Sequence, residues 1–74
     1  MNKVLSQLHP GSTACNKSLH LSGIMKQRLL DLGLIEGTQV QCLNRSPAGD
    51  PTAFLIRGAV IALRGSDSRK IEVV

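Results

Sequence analysis

The sequence predicts an all-β fold, a small closed barrel of about five strands with one short inserted α-helix. Five short segments alternate as strands do, turn-forming residues separate them, and one stretch has helical periodicity. A chain of 74 residues is expected to form a single domain over residues 1–74, with a thin core. Closure is favoured because a flat sheet of this size would expose two edges and an apolar face.

The N-terminal part contains one helical turn and one strand of moderate quality. Leu5 and Leu8 fall on one face of a single turn, and Pro10-Gly11 ends it. Residues 12–19 form the strand, whose two faces carry alternating residues: Thr13, Cys15 and Lys17 on one, Ala14, Asn16 and Ser18 on the other.

Residues 24–32 form the one convincing helix. Ser22 is a suitable N-cap, and Gly33 is the expected left-handed residue after the last turn, with Leu34 folding back on it. A single apolar stripe runs along the helix: Leu21, Met25, Leu29 and Leu32. Arg28, beside this stripe, is expected to pack its stem and bond to loop carbonyls.

The second half consists of strands and turns. Strands are predicted over residues 38–45, 52–57, 59–63 and 71–73, with a hairpin turn at 47–51. Gly58 indicates a bulge or tight bend, and residues 65–68 a turn or a single helical turn. Residues expected to face the core are Val40, Cys42, Phe54, Ile56, Ile61, Leu63, Ile71 and Val73.

Composition limits the function. The net charge of +4 comes from scattered basic residues, and Phe54 is the only aromatic residue. Single-strand nucleic-acid binding uses aromatic stacking, so this alternative has only weak support. Cys15 and Cys42 are interpreted as reduced, buried thiols at inward strand positions. No signal peptide and no membrane-spanning run is recognisable, which favours a cytoplasmic location.

The sequence offers no catalytic, cofactor or metal site. His9, His20, Cys15 and Cys42 lack the short spacing of a structural metal site, and the carboxylates of Glu36, Asp50 and Glu72 are scattered. Inward cysteines disfavour a thiolate nucleophile, and no glycine-rich phosphate loop is present. We therefore expect a protein that acts by binding and is not an enzyme.

An ordered set of motifs carries a resemblance to a known family: Leu5-x-x-Leu8 with Pro10-Gly11, residues 28–34, Glu36-Gly37-Thr38-x-Val40, Gly49-Asp50-Pro51, Arg57-Gly58, residues 61–64 and Ile71-x-Val73. Together they resemble the ferrous iron transport protein A (FeoA) family over nearly the whole chain. The resemblance implies an SH3-like barrel that binds the cytosolic GTP-binding region of a FeoB-type transporter, reaching the membrane only through this partner. The first strand, poor in apolar residues, departs from the pattern.

Strand alternation predicts where a partner would bind. If Phe54, Ile56, Ile61 and Leu63 point inward, apolar side chains and neighbouring arginines remain on the outer face. The predicted partner-binding residues are Leu43, Arg45, Leu55, Arg57, Val60 and Arg64. An apolar patch rimmed by arginines suits a protein interface, although Leu43 and Leu55 could instead pack under the helix or a loop. An iron-carrying chaperone and weak homo-oligomerisation stay open as alternatives.

Overall fold

The strands of this protein are joined in one antiparallel arrangement. The computed structural model describes residues 3–74, and their six strands follow the order β1-β6-β2-β3-β4-β5. The bounds are Lys3–Val4 for β1, Thr13–Leu19 for β2, Gln39–Arg45 for β3, Thr52–Ile56 for β4, Ala59–Leu63 for β5 and Ile71–Val73 for β6. The sequence predicted about five strands. It missed β1, because two residues are too few for an alternation pattern to emerge.

The main helix begins after Ser22 as expected, but the Ser22 side chain makes no capping hydrogen bond. Helix α1 spans Gly23–Asp31 after an extended Ser22, and a single helical turn, α2, spans Gly65–Ser68. Gly33 has a φ of +93°, and the Leu34 amide donates to the Leu29 carbonyl at 3.0 Å. The chain thus folds back onto α1 as expected, and Leu34 becomes fully buried. A 3₁₀ turn at Leu5–Gln7 is the helical turn predicted near the N-terminus.

Strand β2 turns the sheet into a barrel by pairing with different strands along its length. Its first part pairs with β3, through Thr13 with Gln41 and Cys15 with Gln39. Its second part pairs with β6, and the register shifts between Asn16 and Ser18. A bulge of this kind bends a strand and increases its twist, so the two halves of the sheet curve around a shared interior.

The β4–β5 hairpin has the tightest turn in the sheet. Ile56 pairs with Ala59, which leaves Arg57 and Gly58 as the only two turn residues, with φ of +49° and +83°. Two consecutive positive φ values are typical of the turn that matches the natural strand twist. The prediction of a tight bend at Gly58 is confirmed.

The core is aliphatic, with Phe54 as its largest side chain. The buried set is Leu5, Leu8, Leu21, Leu29, Leu34, Val40, Cys42, Phe54, Ile56, Leu63, Ile71 and Val73, with Ala14, Leu19, Met25 and Ile61 packed against it. The prediction that Cys15 is buried was wrong: it is half-buried and free, whereas Cys42 is buried and free. In residues 3–74, no helix has the length and apolar character needed to cross a bilayer.

Candidate functional site

The outer face of the barrel carries a continuous row of side chains across four strands. Register pairs Thr13 with Gln41, Gln41 with Leu55 and Leu55 with Val60. Val60 is 66% exposed, and Leu55 is half-buried. Two of the three apolar side chains predicted on neighbouring strands, Leu55 and Val60, are therefore directly opposite each other.

Arg57, at the tip of the β4–β5 hairpin, is held against the end of α1. An ideal Cβ on Gly33 would lie 2.7 Å from the Arg57 Cδ and 2.9 Å from its Nε. The arginine side chain therefore occupies the space that the missing Cβ leaves free. This contact ties the hairpin to the end of α1, and Arg57 lines the same surface depression as Leu55.

Leu43 lies at an irregularity of β3. Cys42 pairs with Phe54 and Asn44 with Ala53, so two residues of β3 advance where β4 advances by one. This is a β-bulge with Leu43 as the extra residue. It explains why Leu43 did not fit the alternation, and it leaves that side chain half-buried.

Arg45 and Arg64 are located at the far end of the sheet from Arg57. Arg45 pairs with Thr52, which pairs with Leu63 immediately before Arg64. The Arg45 Nη2 donates to the carbonyls of Ser6 at 3.2 Å and Leu8 at 2.9 Å. The structure thus brings Leu55, Arg57 and Val60 together and gives Arg45 a structural contact with the N-terminal turn.

A groove between α1 and β5 was missed by the sequence analysis. Its volume is about 620 Å³, and Arg28 and Asp31 lie on its helical wall. Apolar side chains form the rest of the lining: Met25, Leu29, Leu32, Ala59, Val60, Ile61 and Ala62. Arg28 is exposed there, and the hydrogen bonds of residues 3–74 include none from its guanidinium to a loop carbonyl, contrary to expectation. The sequence feature that could have predicted this groove is the apolar stripe of α1, whose members Met25 and Leu32 stay half-buried in the structure.

A polar cluster surrounds Glu72 on the other side of the barrel. Ser18 Oγ donates to Glu72 Oε1 at 3.1 Å, His20 Nε2 lies 3.0 Å from the same oxygen, and Lys17 Nζ lies 3.5 Å from Oε2. Because an ionised carboxylate only accepts, His20 Nε2 carries the proton in this contact. The hydrogen bond from His20, with those from Ser18 and Lys17, lowers the pKa of Glu72 below its ordinary value, and partial burial opposes this. The cluster stabilises a buried strand residue.

The titratable side chains do not gather into a metal centre in the described part of the chain. Residues 3–74 contain no group of three His, Cys, Asp or Glu placed to hold an ion. His9 is exposed, and the side chain of His20 is 60% exposed and engaged with Glu72. Burial raises the pKa of the Cys42 thiol, and the charge of Arg45 opposes this in part. The raised pKa disfavours a reactive thiolate at Cys42.

Comparison with known proteins identifies the family of this chain. The family model described as FeoA domain matches residues 3–74. A fusion protein of Fe(2+) transport protein A and Fe(2+) transporter FeoB from Porphyromonas gingivalis is 32% identical over 69 residues, 93% of this chain. The chain spans only 8% of the length of that relative.

Solved structures support the same assignment. The FeoA protein from Chlorobium tepidum has a TM-score of 0.90 and 31% identity, over 96% of this chain and 68% of that chain. FeoA from Stenotrophomonas maltophilia, described as a procaryotic SH3 domain protein and complexed with zinc, has a TM-score of 0.81 and 27% identity, over 100% and 89% of the two chains. The prediction of an SH3-like barrel is confirmed, and this chain belongs to the FeoA domain family, which is associated with ferrous iron transport.

Proposed function

We propose that this chain is an accessory protein of ferrous iron uptake that binds the cytosolic region of a FeoB-type transporter. The observation that carries the proposal is the Porphyromonas gingivalis relative, in which one polypeptide contains both a sequence like this chain and a FeoB transporter. Fusion keeps two partners at a high effective concentration. A separate chain must achieve the same encounter through a binding surface.

The outer face of the β4–β5 hairpin is the proposed surface. Val60 offers exposed apolar area and Leu55 lies opposite it, while Arg57, held against Gly33, lines the same surface depression as Leu55. Apolar side chains flanked by arginine are enriched at protein interfaces. Leu43, Arg45 and Arg64 extend this proposed surface toward the other end of the strands.

Binding would act on the transporter by shifting a conformational or assembly equilibrium. A partner can do this only if it binds one state more tightly than another. The Stenotrophomonas maltophilia relative is described as a possible activating factor of bacterial ferrous iron transport, which is consistent with such a role. The chain would then work in the cytoplasm at the inner face of the membrane, through its partner.

The test is a binding titration with a matched control. The purified cytosolic region of the FeoB-type transporter from the same genome is titrated with wild type, Leu55→Glu and Leu30→Glu, after far-UV circular dichroism has established folding. Leu30 is 40% exposed, and its helix face lies away from β5, beside Lys17 and Leu34. We expect Leu55→Glu to weaken binding at least about tenfold, as for an interface residue of 1.4 kcal/mol or more, and Leu30→Glu to bind like wild type.

Two results would contradict the proposal. Absence of wild-type binding to the transporter region would remove the proposed partner, and undiminished binding of Leu55→Glu would remove Leu55 from the surface.

The alternative functions predict different binding results. Nucleic-acid binding would appear as oligonucleotide affinity that collapses with salt, although Phe54 is only 1% exposed and has no face available for stacking. An iron carrier would show a defined ferrous stoichiometry in anaerobic calorimetry.

A further inference from the structure

Strand β5 ends the sheet, and half of its peptide groups point away from it. The two-residue turn makes Ile56 and Ala59 a hydrogen-bonded pair. Along an antiparallel ladder, hydrogen-bonded pairs alternate with pairs that are not hydrogen-bonded to each other. Val60 and Ala62 therefore occupy non-hydrogen-bonded positions opposite Leu55 and Ala53. Their N–H and C=O groups point outward, toward α1.

The alternation is verified elsewhere in the same sheet. Cys42 is also at a position that faces away from β4, and its N–H donates to the Ser12 carbonyl at 2.9 Å while its carbonyl accepts from the Gly11 amide at 2.7 Å. Cys42 thus finds partners on its outer side. In residues 3–74, the backbone hydrogen bonds outside regular elements include none to Val60 or Ala62.

We propose that the β5 edge receives an extended segment of the transporter's cytosolic region, which adds a strand next to Val60 and Ala62. This inference rests on the proposed function and specifies how the partner is held. The groove of about 620 Å³ separates β5 from α1, within the range of about 300–1,000 Å³ that ligand sites occupy. Backbone pairing along the edge supplies affinity, and the half-buried groove residues Met25 and Leu32 receive alternate side chains of the segment.

The charges around the edge select an acidic segment. Arg57 precedes β5, Arg64 follows it, and Arg28 faces it across the groove. Two carboxylates lie in the same region: Asp31 is in the groove lining, and Asp50 accepts from the Gly65 amide next to Arg64. Asp31 already accepts a hydrogen bond from Gln27 at 2.9 Å. Three arginines against two carboxylates leave a positive excess around the strand, which favours a segment with carboxylates next to its apolar residues.

The same charges disfavour a second copy of this chain as the occupant. An antiparallel two-fold pairing of two β5 edges centred on Ile61 would align the Val60 position with Ala62 of the other copy. It would also bring Arg57 of each copy within about one residue of Arg64 of the other, at the 3.3 Å rise of a strand. Like charges opposite each other are destabilising in a sheet, so this pairing is penalised at both ends.

Amide hydrogen exchange on the wild-type chain tests the edge directly. With the transporter's cytosolic region at about 100 times Kd, the Val60 and Ala62 amides should exchange about 100-fold more slowly. The amide of Ile24, which is exposed in the first turn of α1 and has no partner there, should keep its exchange rate. Binding without added protection at Val60 and Ala62 would overturn the inference while leaving the proposed function intact, whereas absence of binding would overturn both.

Two pairs of variants separate backbone from charge. Val60→Pro removes the outward backbone N–H and keeps the strand's bonds to β4, since position 60 does not bond to β4 and proline is tolerated in edge strands. Val60→Thr keeps the backbone N–H and has a side chain of similar shape. We expect at least about fivefold weaker binding for the proline variant and less than about twofold for the threonine variant. If Val60→Pro does not fold, the exchange measurement on wild type decides.

Arg28→Glu, on the groove wall, should weaken binding, whereas Lys26→Glu, on the opposite flank of α1, should not. Equal effects of these two charge reversals would refute the acidic segment. Protection of Val60 and Ala62 that rises with the concentration of this chain alone would assign the edge to a second copy and overturn the inference.

Discussion

The contact between Arg57 and Gly33 leads to a prediction in which two glycines serve as each other's control. Gly33 and Gly37 have nearly the same backbone angle, with φ of +93° and +89°. A Cβ on Gly33 would meet Arg57 Cδ at 2.7 Å, whereas a Cβ on Gly37 would have nothing within 4 Å. Alanine at either position lowers the stability of the folded state because its Cβ disfavours the left-handed backbone, and only alanine at position 33 must also displace Arg57.

The magnitudes follow from these two costs. The left-handed conformation costs a residue with a Cβ about 1–2 kcal/mol, so Gly37→Ala should lower the free energy of unfolding by that amount. Moving the Arg57 side chain into a poorer rotamer adds about 0.5–1.5 kcal/mol, so Gly33→Ala should cost about 1.5–3.5 kcal/mol. In a domain of this size the difference between the two variants corresponds to a melting-temperature gap of about 2–12 °C.

The assay is urea unfolding followed by far-UV circular dichroism, because the chain has no Trp or Tyr to report by fluorescence. Repeating both substitutions in an Arg57→Ala background completes a double-mutant cycle. The extra cost at position 33 should disappear there, while the shared backbone cost should persist. Equal destabilisation by Gly33→Ala and Gly37→Ala in the wild-type background would refute the claim that Arg57 lies over Gly33.

Three further predictions concern other side chains. Because the pKa of Glu72 is lowered in the folded protein, its contribution is full above the ordinary carboxyl pKa of about 4.3 and declines as the pH falls toward the lowered value. The stability advantage of wild type over Glu72→Gln in urea should therefore shrink between pH 7 and pH 3, and an unchanged advantage would refute it. Arg45→Ala should cost about 1–2 kcal/mol in unfolding free energy through the lost bonds to the N-terminal turn, whereas Arg64→Ala should cost below about 0.5 kcal/mol; equal losses would contradict this contact. Native alkylation at pH 8 followed by mass spectrometry should modify half-buried Cys15 before Cys42, because Cys42 is buried and its pKa is raised; the reverse order would contradict the burial.

Much of the site could be predicted because strand periodicity is a local property. Side chains two residues apart share a face, so the outward positions of Leu55 and Val60 followed once Phe54 and Ile61 were assigned inward. That these two residues lie directly opposite each other followed from the two-residue turn at Arg57-Gly58. The prediction failed to account for Leu43, because a bulge depends on how two strands pair and leaves no periodic signal.

The arginines were harder to predict than the apolar residues. A long side chain reaches groups that are remote in sequence, and Arg45 bonds to carbonyls 37 and 39 positions away. Arg57 likewise reaches Gly33 at the end of α1. The sequence indicated that both residues are exposed, which is correct, but exposure alone does not distinguish a structural arginine from one free to bind a partner.

The sequence by itself determined the all-β barrel, the position of α1 with its left-handed glycine, the aliphatic core and the family, because each depends on periodicity or on residues at short spacing. Only the tertiary structure decided which strand ends the sheet, what each arginine contacts, that Glu72 gathers three polar partners, and that a groove separates α1 from β5. These features depend on the closure of the barrel, which joins segments far apart in the chain through contacts that no local pattern records.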